Sequence, residues 1–227
     1  MEKLYVFRDR LDAGRRLGEW LREHGVKADV VYGVPAGGVP VAYMVSMVLG
    51  LKLDVLICRK ILIPWDREAG FGAVAPDGSY FVDEAFAEYL GLTREAIEEA
   101  IKEQLIEVKR RLMRYRCGEP YTGLRGLSVI VVDDGIAAGY TMSAAVSFLL
   151  KQGVKHVVVA VPTCHAESIK RIARKNVDIY CFNPRSQPIY AVADAYREWR
   201  DLDDEEVLEY LRKAREKNML YYKGNCL

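Results

Sequence analysis

The sequence lacks an excess of charge of either sign. Its 227 residues include 33 Lys and Arg against 32 Asp and Glu, which gives a formal net charge of +1. Proteins that bind nucleic acid over an extended surface usually carry a clear basic excess. We therefore expect no nucleic-acid partner. A small anion held by a few local groups is compatible with this balance.

The sequence also lacks the segments that are typical of secreted and membrane proteins. Its N-terminal residues are rich in charge and contain no continuous apolar stretch, unlike a signal peptide. Residues 30–51 are uncharged, but glycine and proline between 33 and 40 exclude one continuous lipid-facing helix. We expect a soluble, cytoplasmic protein with no membrane partner.

The cysteines form no C-x-x-C pair. They are odd in number and far apart, which argues against both a zinc site and a disulfide framework. We expect all of them to be free thiols: Cys58, Cys117, Cys164, Cys181 and Cys226.

What the sequence does contain is a series of short apolar runs that alternate with helical patterns. Runs of strand length occupy residues 29–34, 54–58, 128–132, 155–161 and 177–182. Continuous β-branched runs are typical of strands that are covered on both faces. Their alternation with helices predicts an α/β fold, with a Rossmann-like parallel sheet core flanked by helices. Ligands of such sheets bind at the carboxyl ends of the strands.

We expect one domain over residues 1–227, with its core at about 28–182 and a long loop-plus-helix insertion at about 61–120. Residues 61–82 predict a loop or irregular hairpin, in which Trp65 and Phe71 either close over a ligand or pack against the core. Thr93 then caps a helix that extends to about Arg116, with apolar residues every three or four positions. A charged C-terminal helix is predicted at 201–217.

One segment, VIVVDDGIAAGYT at residues 129–141, combines groups that suit a particular ligand. A buried strand ends in Asp133 and Asp134, and a loop of small residues then opens a helix at Thr141. Free backbone amides at a helix N-terminus bind phosphate. Two adjacent carboxylates would repel that phosphate, so we expect them to face sugar hydroxyls or a divalent cation. The segment therefore predicts a site for a ribose phosphate.

This segment resembles the phosphoribosyl diphosphate (PRPP) binding signature of type I phosphoribosyltransferases. The resemblance implies the fold of that family, with a small hood and the C-terminal helix at about 183–227. It implies transfer of 5-phosphoribose from PRPP to a nitrogen nucleophile, with release of pyrophosphate. The nucleophile implied by the resemblance is a purine base. Asp133 and Asp134 would hold the ribose hydroxyls. The 5′-phosphate would bind to residues 135–141, here called the phosphate loop: Gly135, Ile136, Ala137, Ala138, Gly139, Tyr140 and Thr141.

Two further segments carry the resemblance. Residues 32–40 look like the pyrophosphate-binding segment of the family, which implies pyrophosphate contacts from Ala36, Gly37 and Gly38. We call residues 35–38 the pyrophosphate loop. Lys60, or its neighbour Arg59, falls where the family places a basic residue ahead of a mobile loop.

Residues 194–202, here called the hood segment, look like the corresponding segment of the 6-oxopurine enzymes. There Asp194 would meet the purine edge or a metal, and Arg200 would contact pyrophosphate. Alternatively, Tyr196 and Trp199 are packing aromatics and Arg200 is a surface charge. The family further implies a homodimer, Mg²⁺ bound with PRPP on Asp133, Asp134 and Asp194, and catalytic roles for Asp133, Asp134, Lys60 and Arg200.

Several positions depart from the family pattern. Ala137 stands where the 6-oxopurine enzymes have an aspartate base, although adenine-type enzymes also have alanine there. Ala138 replaces the usual threonine, and Ala36 stands where many relatives carry Arg or Lys. A non-catalytic regulator that senses PRPP or a nucleotide is therefore a second interpretation. His165 and Glu167 follow the fourth predicted strand, where we expect a polar loop and not a metal site.

Overall fold

A five-stranded parallel sheet forms the centre of the α/β fold. The computed structural model describes residues 4–66 and 69–227. The strands of this sheet are β1 (Val30–Gly33), β2 (Lys52–Val55), β6 (Ser128–Val132), β7 (His156–His165) and β8 (Val177–Arg185). Their spatial order is β2-β1-β6-β7-β8, and every neighbouring pair is parallel. The predicted fold class is confirmed.

Helices cover both faces of this sheet, as the continuous apolar strands predict. They are α1 (Arg10–Glu23), α2 (Gly38–Leu49), α5 (Tyr140–Lys151), α6 (Ala166–Ile172) and α7 (Asp204–Glu216). In β6, Ile130 and Val132 pack into one hydrophobic cluster, and Val129 and Val131 pack into the other. Residues 129–132 of β6 are thus buried on alternate faces of the sheet, which leaves the carboxyl end of this central strand for a ligand.

The insertion between β2 and β6 holds a second, antiparallel sheet. Its strands are β3 (Arg59–Leu62), β4 (Gly70–Val74) and β5 (Tyr80–Val82), followed by α3 (Glu84–Tyr89) and α4 (Arg94–Arg116). Phe71 is fully buried in the core, whereas Trp65 is 67% exposed. The segment predicted as a loop or irregular hairpin at 61–82 thus belongs to a sheet of three strands. Residues 67–68 of this segment, like residues 1–3, lie outside the described residues.

The predicted long helix is confirmed, because the hydroxyl of Thr93 accepts a hydrogen bond from the N–H of Ala96 at the start of α4. The second predicted strand is displaced: it occupies Lys52–Val55 and not 54–58. The prediction begins this strand at the charged residue Asp54. The carboxylate of Asp54 instead lies buried within β2 and accepts hydrogen bonds from Arg116. A buried ion pair of this kind places a charge between the buried apolar residues Leu53 and Val55.

The prediction that all cysteines are free is wrong for two of them. Cys117, just after α4, and Cys226 form a disulfide with a Cα–Cα distance of 5.4 Å. The segment after α7 returns along β2, where Leu220 bridges to Leu53, and its backbone then donates to the carboxylate of Glu119. This return brings together cysteines that are 109 residues apart. Cys58, Cys164 and Cys181 are free.

Candidate functional site

The carboxyl ends of β1 and β6 meet at the centre of the sheet. Gly33 pairs with Val132 at the last position of both strands. The chain continues from β1 to β2 on one side and from β6 to β7 and β8 on the other. Such a reversal opens a crevice at the carboxyl ends of the two strands. The pyrophosphate loop leaves β1 at this crevice, and Asp133 and Asp134 follow β6, so the structure brings these two predicted segments together.

The pyrophosphate loop approaches the acidic pair too closely to allow side chains at two positions. A Cβ atom on Gly37 would stand 1.8 Å from Oδ2 of Asp134, and a Cβ atom on Gly38 would stand 2.8 Å from Cα of Asp133. Gly37 has φ −62° and ψ −30°, a conformation open to any residue. A side chain at position 37 is therefore disfavoured by contact with the Asp134 carboxylate, and not by backbone conformation.

Asp133 and Asp134 are both partly buried and lie in contact. The backbone N–H of Asp134 donates to Oδ1 of Asp133 at 2.8 Å. Desolvation, and then repulsion by the Asp134 carboxylate, raise the pKa of Asp133 well above its usual range. A cation that approached Asp133 would oppose both effects, and a ligand hydroxyl would oppose the desolvation, so this carboxylate is suited to hydroxyl or cation binding.

A cation that the sequence analysis missed contacts the acidic pair. Nε of Arg10, at the start of α1, donates to Oδ2 of Asp134 at 2.8 Å, and the two side chains are 10% and 15% exposed. Nη1 of Arg10 donates to the backbone carbonyl of Arg200 at 2.8 Å, and its guanidinium lies 3.9 Å from the ring centroid of Trp199. The hydroxyl of Tyr196 donates to the carbonyl of Asp134 at 2.5 Å. The hood segment thus reaches the acids through two aromatic rings and a carbonyl.

The side chains of Asp194 and Arg200 have other partners in this structure. The guanidinium of Arg200 is 69% exposed and donates from Nη1 to Glu206 at 2.7 Å. Asp194, in the 3₁₀ helix Val192–Ala195, accepts from Nη1 of Arg185 at 3.4 Å. The structure therefore places the hood segment at the crevice. The side chains that contact Asp134 and Arg10 there are Tyr196 and Trp199, whereas the sequence suggests Asp194 and Arg200.

Lys60 lies in the antiparallel sheet, opposite Ala73 of β4. Residues that face each other across antiparallel strands share a face of the sheet. Ala73 packs against Tyr140 and Ala144 of α5, and Phe81, which also pairs with Ala73, stacks on Tyr140 at 6.1 Å between ring centroids. Lys60 is therefore on the face of the insertion that is turned towards the helix after the phosphate loop.

Side chains of α6 hold the phosphate loop by its backbone carbonyls. The hydroxyl of Ser168 donates to the carbonyl of Ala137, and Nη1 of Arg171 donates to the carbonyl of Ala138. Gly139 has φ +83°, which favours glycine, and α5 begins directly after it. The first N–H groups of a helix have no partner within the helix. With two carbonyls fixed to α6, these amides can bind an anion.

Two predicted members of the phosphate loop anchor it. The N–H of Ile136 donates to the carbonyl of Thr163 at 3.0 Å, and the Ile136 side chain is buried. The hydroxyl of Tyr140 donates to Asp83 at 2.7 Å, and its ring lies 4.2 Å from the guanidinium of Arg171. Thr141 occupies the first turn of α5. The amide of Ile136 thus serves the fold, and the anion contacts fall to the residues after it.

A pocket of about 630 Å³ opens on the side of the phosphate loop that faces α6. The predicted polar loop at this place is wrong, since residues 166–172 form α6 and His165 ends β7. Nε2 of His165 lies 3.2 Å from the carbonyl of Gln187, and Glu167 pairs with Lys170 at 2.6 Å. The pocket is lined by Ala137, Ala138, His165, Glu167, Ser168, Lys170, Arg171, Pro188 and Tyr190.

The acidic pair fits Mg²⁺ only when substrate oxygens complete its shell. Within residues 4–66 and 69–227, no group of three or more His, Cys, Asp or Glu side chains is placed to hold a metal ion. Mg²⁺ is usually bound by one or two carboxylates together with substrate phosphates and water. Asp133 and Asp134 suit that mode of binding.

Comparison with known proteins supports the interpretation of this crevice. The family model described as "Phosphoribosyl transferase domain" matches residues 86–196, which include the acidic pair and the phosphate loop. Two Mycobacterium tuberculosis proteins, named "Putative phosphoribosyl transferase" MT0597 and Rv0571c, are 37% identical over 209 residues. This similarity covers 92% of the chain and 47% of each relative, so the chain spans about half the length of the curated relatives it matches.

Two solved structures are similar over nearly their whole length. The crystal structure of TT1426 from Thermus thermophilus has a TM-score of 0.71 and 34% identity, covering 91% of this chain and 98% of that one. A hypothetical protein from Neisseria gonorrhoeae with bound ppGpp has a TM-score of 0.52 and 17% identity, with 95% and 99% covered. The second similarity extends to the fold alone.

None of the helices in the described parts of the chain has the length and hydrophobicity to cross a membrane.

Proposed function

Since the chain belongs to the type I phosphoribosyltransferase family, we propose that it transfers 5-phosphoribose from PRPP to a purine base and releases pyrophosphate. The observation that carries this proposal is the crevice at β1 and β6. There the pyrophosphate loop, the Asp133–Asp134 pair and the N-terminus of α5 converge. These groups match the three parts of PRPP, which are a diphosphate, a ribose diol and a 5′-phosphate.

The proposed reaction breaks the bond between C1′ and the diphosphate oxygen, and the electron pair leaves with pyrophosphate. A nitrogen lone pair of the base forms the new bond to C1′, and the base loses a proton to solvent. The carboxylates of Asp133 and Asp134 hold the ribose hydroxyls and lie near the positive charge that develops on the sugar. Backbone amides of the two loops would hold the phosphates, except those of Gly38 and Ile136, which donate to the carbonyls of Val34 and Thr163 at 3.0 Å. Mg²⁺, when bound with PRPP, would help to neutralise the leaving pyrophosphate.

We place the acceptor in the pocket between the phosphate loop and α6. Ala137 lines this pocket, so a bound base would lie beside the loop that holds the 5′-phosphate. The rings of His165 and Tyr190, 5.7 Å apart between centroids, line the pocket and offer a surface for a planar base. The resemblance of the hood segment to 6-oxopurine enzymes supports a purine.

A non-catalytic sensor of PRPP or of a nucleotide is the second candidate. The observation that favours it is alanine at position 137, because the phosphate loop then offers no carboxylate to accept the proton of the base. Binding of the phosphoribosyl group would use the same crevice in both cases. Turnover is what separates the two candidates.

The test measures pyrophosphate release from PRPP and Mg²⁺ with a panel of purine and pyrimidine bases, alongside calorimetric binding of PRPP. We expect turnover with a purine, and at least about tenfold weaker PRPP binding when Asp133→Asn and Asp134→Asn are combined, because hydrogen bonds to charged groups contribute about 1.5–3 kcal/mol. Asp178→Asn, an exposed change at the amino end of β8, is the matched control. Tight PRPP binding without turnover would favour the sensor. Absence of both would refute the assignment.

A further inference from the structure

The guanidinium of Arg10 lies where the pyrophosphate loop meets the acidic pair. Its Nε is 2.8 Å from Oδ2 of Asp134 and 3.2 Å from the position that a Cβ atom on Gly37 would take. The side chain is 10% exposed. Arg10 and Asp134 are 124 residues apart in the chain, so α1 delivers a cation to a site that is otherwise built at the ends of β1 and β6.

Two contacts from the hood segment fix the orientation of this guanidinium. The carbonyl of Arg200 accepts from Nη1 at 2.8 Å, and the ring of Trp199 lies 3.9 Å away across its face. A guanidinium carries five N–H donors. The hydrogen bonds to Asp134 and Arg200 use two of these five. Arg10 is thus held rigidly and has donors beyond those that keep it in place.

A diphosphate bound beside the acidic pair needs a cation to offset the repulsion between their negative charges. A diphosphate brings several negative charges next to the carboxylates of Asp133 and Asp134, which repel it. Position 36 of the pyrophosphate loop is alanine and contributes no positive charge. A planar guanidinium binds phosphate oxygens in pairs, with hydrogen bonds that are stronger than those of neutral donors.

We propose that Arg10 binds the diphosphate group of PRPP together with the pyrophosphate loop, and that it supplies the positive charge that Ala36 does not. This inference rests on the proposed function. The contact of Arg10 with Asp134 keeps the guanidinium beside the pyrophosphate loop. A single residue thus joins the ribose end of the site to the diphosphate end.

The test compares three ligands in the presence of Mg²⁺ by calorimetry: PRPP, inorganic pyrophosphate and ribose 5-phosphate. Arg10→Gln removes the charge but keeps an amide that can donate to Asp134. We expect this variant to bind PRPP and pyrophosphate at least about tenfold more weakly, because charged hydrogen bonds are lost. Ribose 5-phosphate lacks the diphosphate, so its affinity should change by less than about threefold. Arg15→Gln, on the exposed side of the same helix, is the matched control and should change none of the three.

Arg10→Lys keeps the charge without the planar fork, and it guards against a folding defect in Arg10→Gln. We expect it to fold and to show a smaller loss that is again selective for PRPP and pyrophosphate. Equal losses for all three ligands, or no loss for any, would overturn the inference while wild-type binding of PRPP leaves the proposed function intact. A wild-type protein that binds none of the three ligands would instead refute the proposed function.

Discussion

Replacing Gly37 with alanine is expected to damage the ribose site and to destabilise the fold. A Cβ atom at this position would lie 1.8 Å from Oδ2 and 2.6 Å from Cγ of Asp134. The carboxylate must therefore rotate away, and it then loses the hydrogen bond from Arg10. Because φ and ψ of Gly37 are helical, the new methyl group creates no backbone strain of its own.

The expected magnitude follows from two opposing effects. A glycine-to-alanine change at a permitted conformation stabilises a protein by about 0.4–1 kcal/mol, through the unfolded chain. Loss of a hydrogen bond between charged groups costs about 1.5–3 kcal/mol. We therefore expect a net loss of about 1–2 kcal/mol in the free energy of unfolding. PRPP affinity should fall at least about tenfold, because Asp134 no longer faces the ribose.

A double-mutant cycle separates the clash from any other effect of the methyl group. Urea unfolding is measured for the wild-type protein, Gly37→Ala, Asp134→Ala and the combined variant. In the Asp134→Ala background the methyl group no longer meets a carboxylate, so Gly37→Ala should become neutral or stabilising there. An equal cost in both backgrounds would show that the contact between Gly37 and Asp134 is not the cause.

Other predictions concern the stability of the fold. Cys226→Ser should lower the free energy of unfolding by about 2–4 kcal/mol; dithiothreitol should lower the Tm of the wild-type protein and leave that of the variant unchanged. Arg200 and a backbone N–H depress the pKa of Glu206 to about 2. Its stabilising contribution should thus be complete above the ordinary glutamate pKa and disappear as the pH falls to about 2, so Glu206→Gln should destabilise at pH 6 but not at pH 2. Thr93→Ala should cost about 1 kcal/mol in thermal unfolding.

The central sheet could be predicted from sequence because its signal is local. Strands that are buried on both faces need apolar, β-branched residues at successive positions, and SVIVV at 128–132 meets that need without reference to the rest of the chain. The place of the acidic pair follows, because residues that come directly after a parallel strand lie at the carboxyl edge of the sheet. Chain order alone therefore located half of the crevice.

Helix α1 carries conflicting local signals, because two of its glycines are explained only by its packing on a partner helix. A Cβ atom on Gly14 would stand 2.5 Å from the carbonyl of Val41, and one on Gly18 would stand 2.9 Å from Cβ of Val48. These glycines let α1 pack closely on α2, yet within a sequence they disfavour a helix. A local signal was present in Asp9, whose carboxylate accepts from the N–H of Asp12 as an N-cap.

The cation at the acidic pair could not be predicted, because its place depends on the packing of α1. In an irregular segment such as 194–202, the order of residues does not determine which side chains face the crevice, and Tyr196 and Trp199 do so where Asp194 and Arg200 were expected. Trp199 in turn stacks on Arg10, which only the packing of α1 brings to the acids. The net charge of +1 does not indicate this local arrangement of charges. A site for a strongly anionic substrate needs only a local cation, and a chain with balanced charges can supply one from a residue more than a hundred positions away.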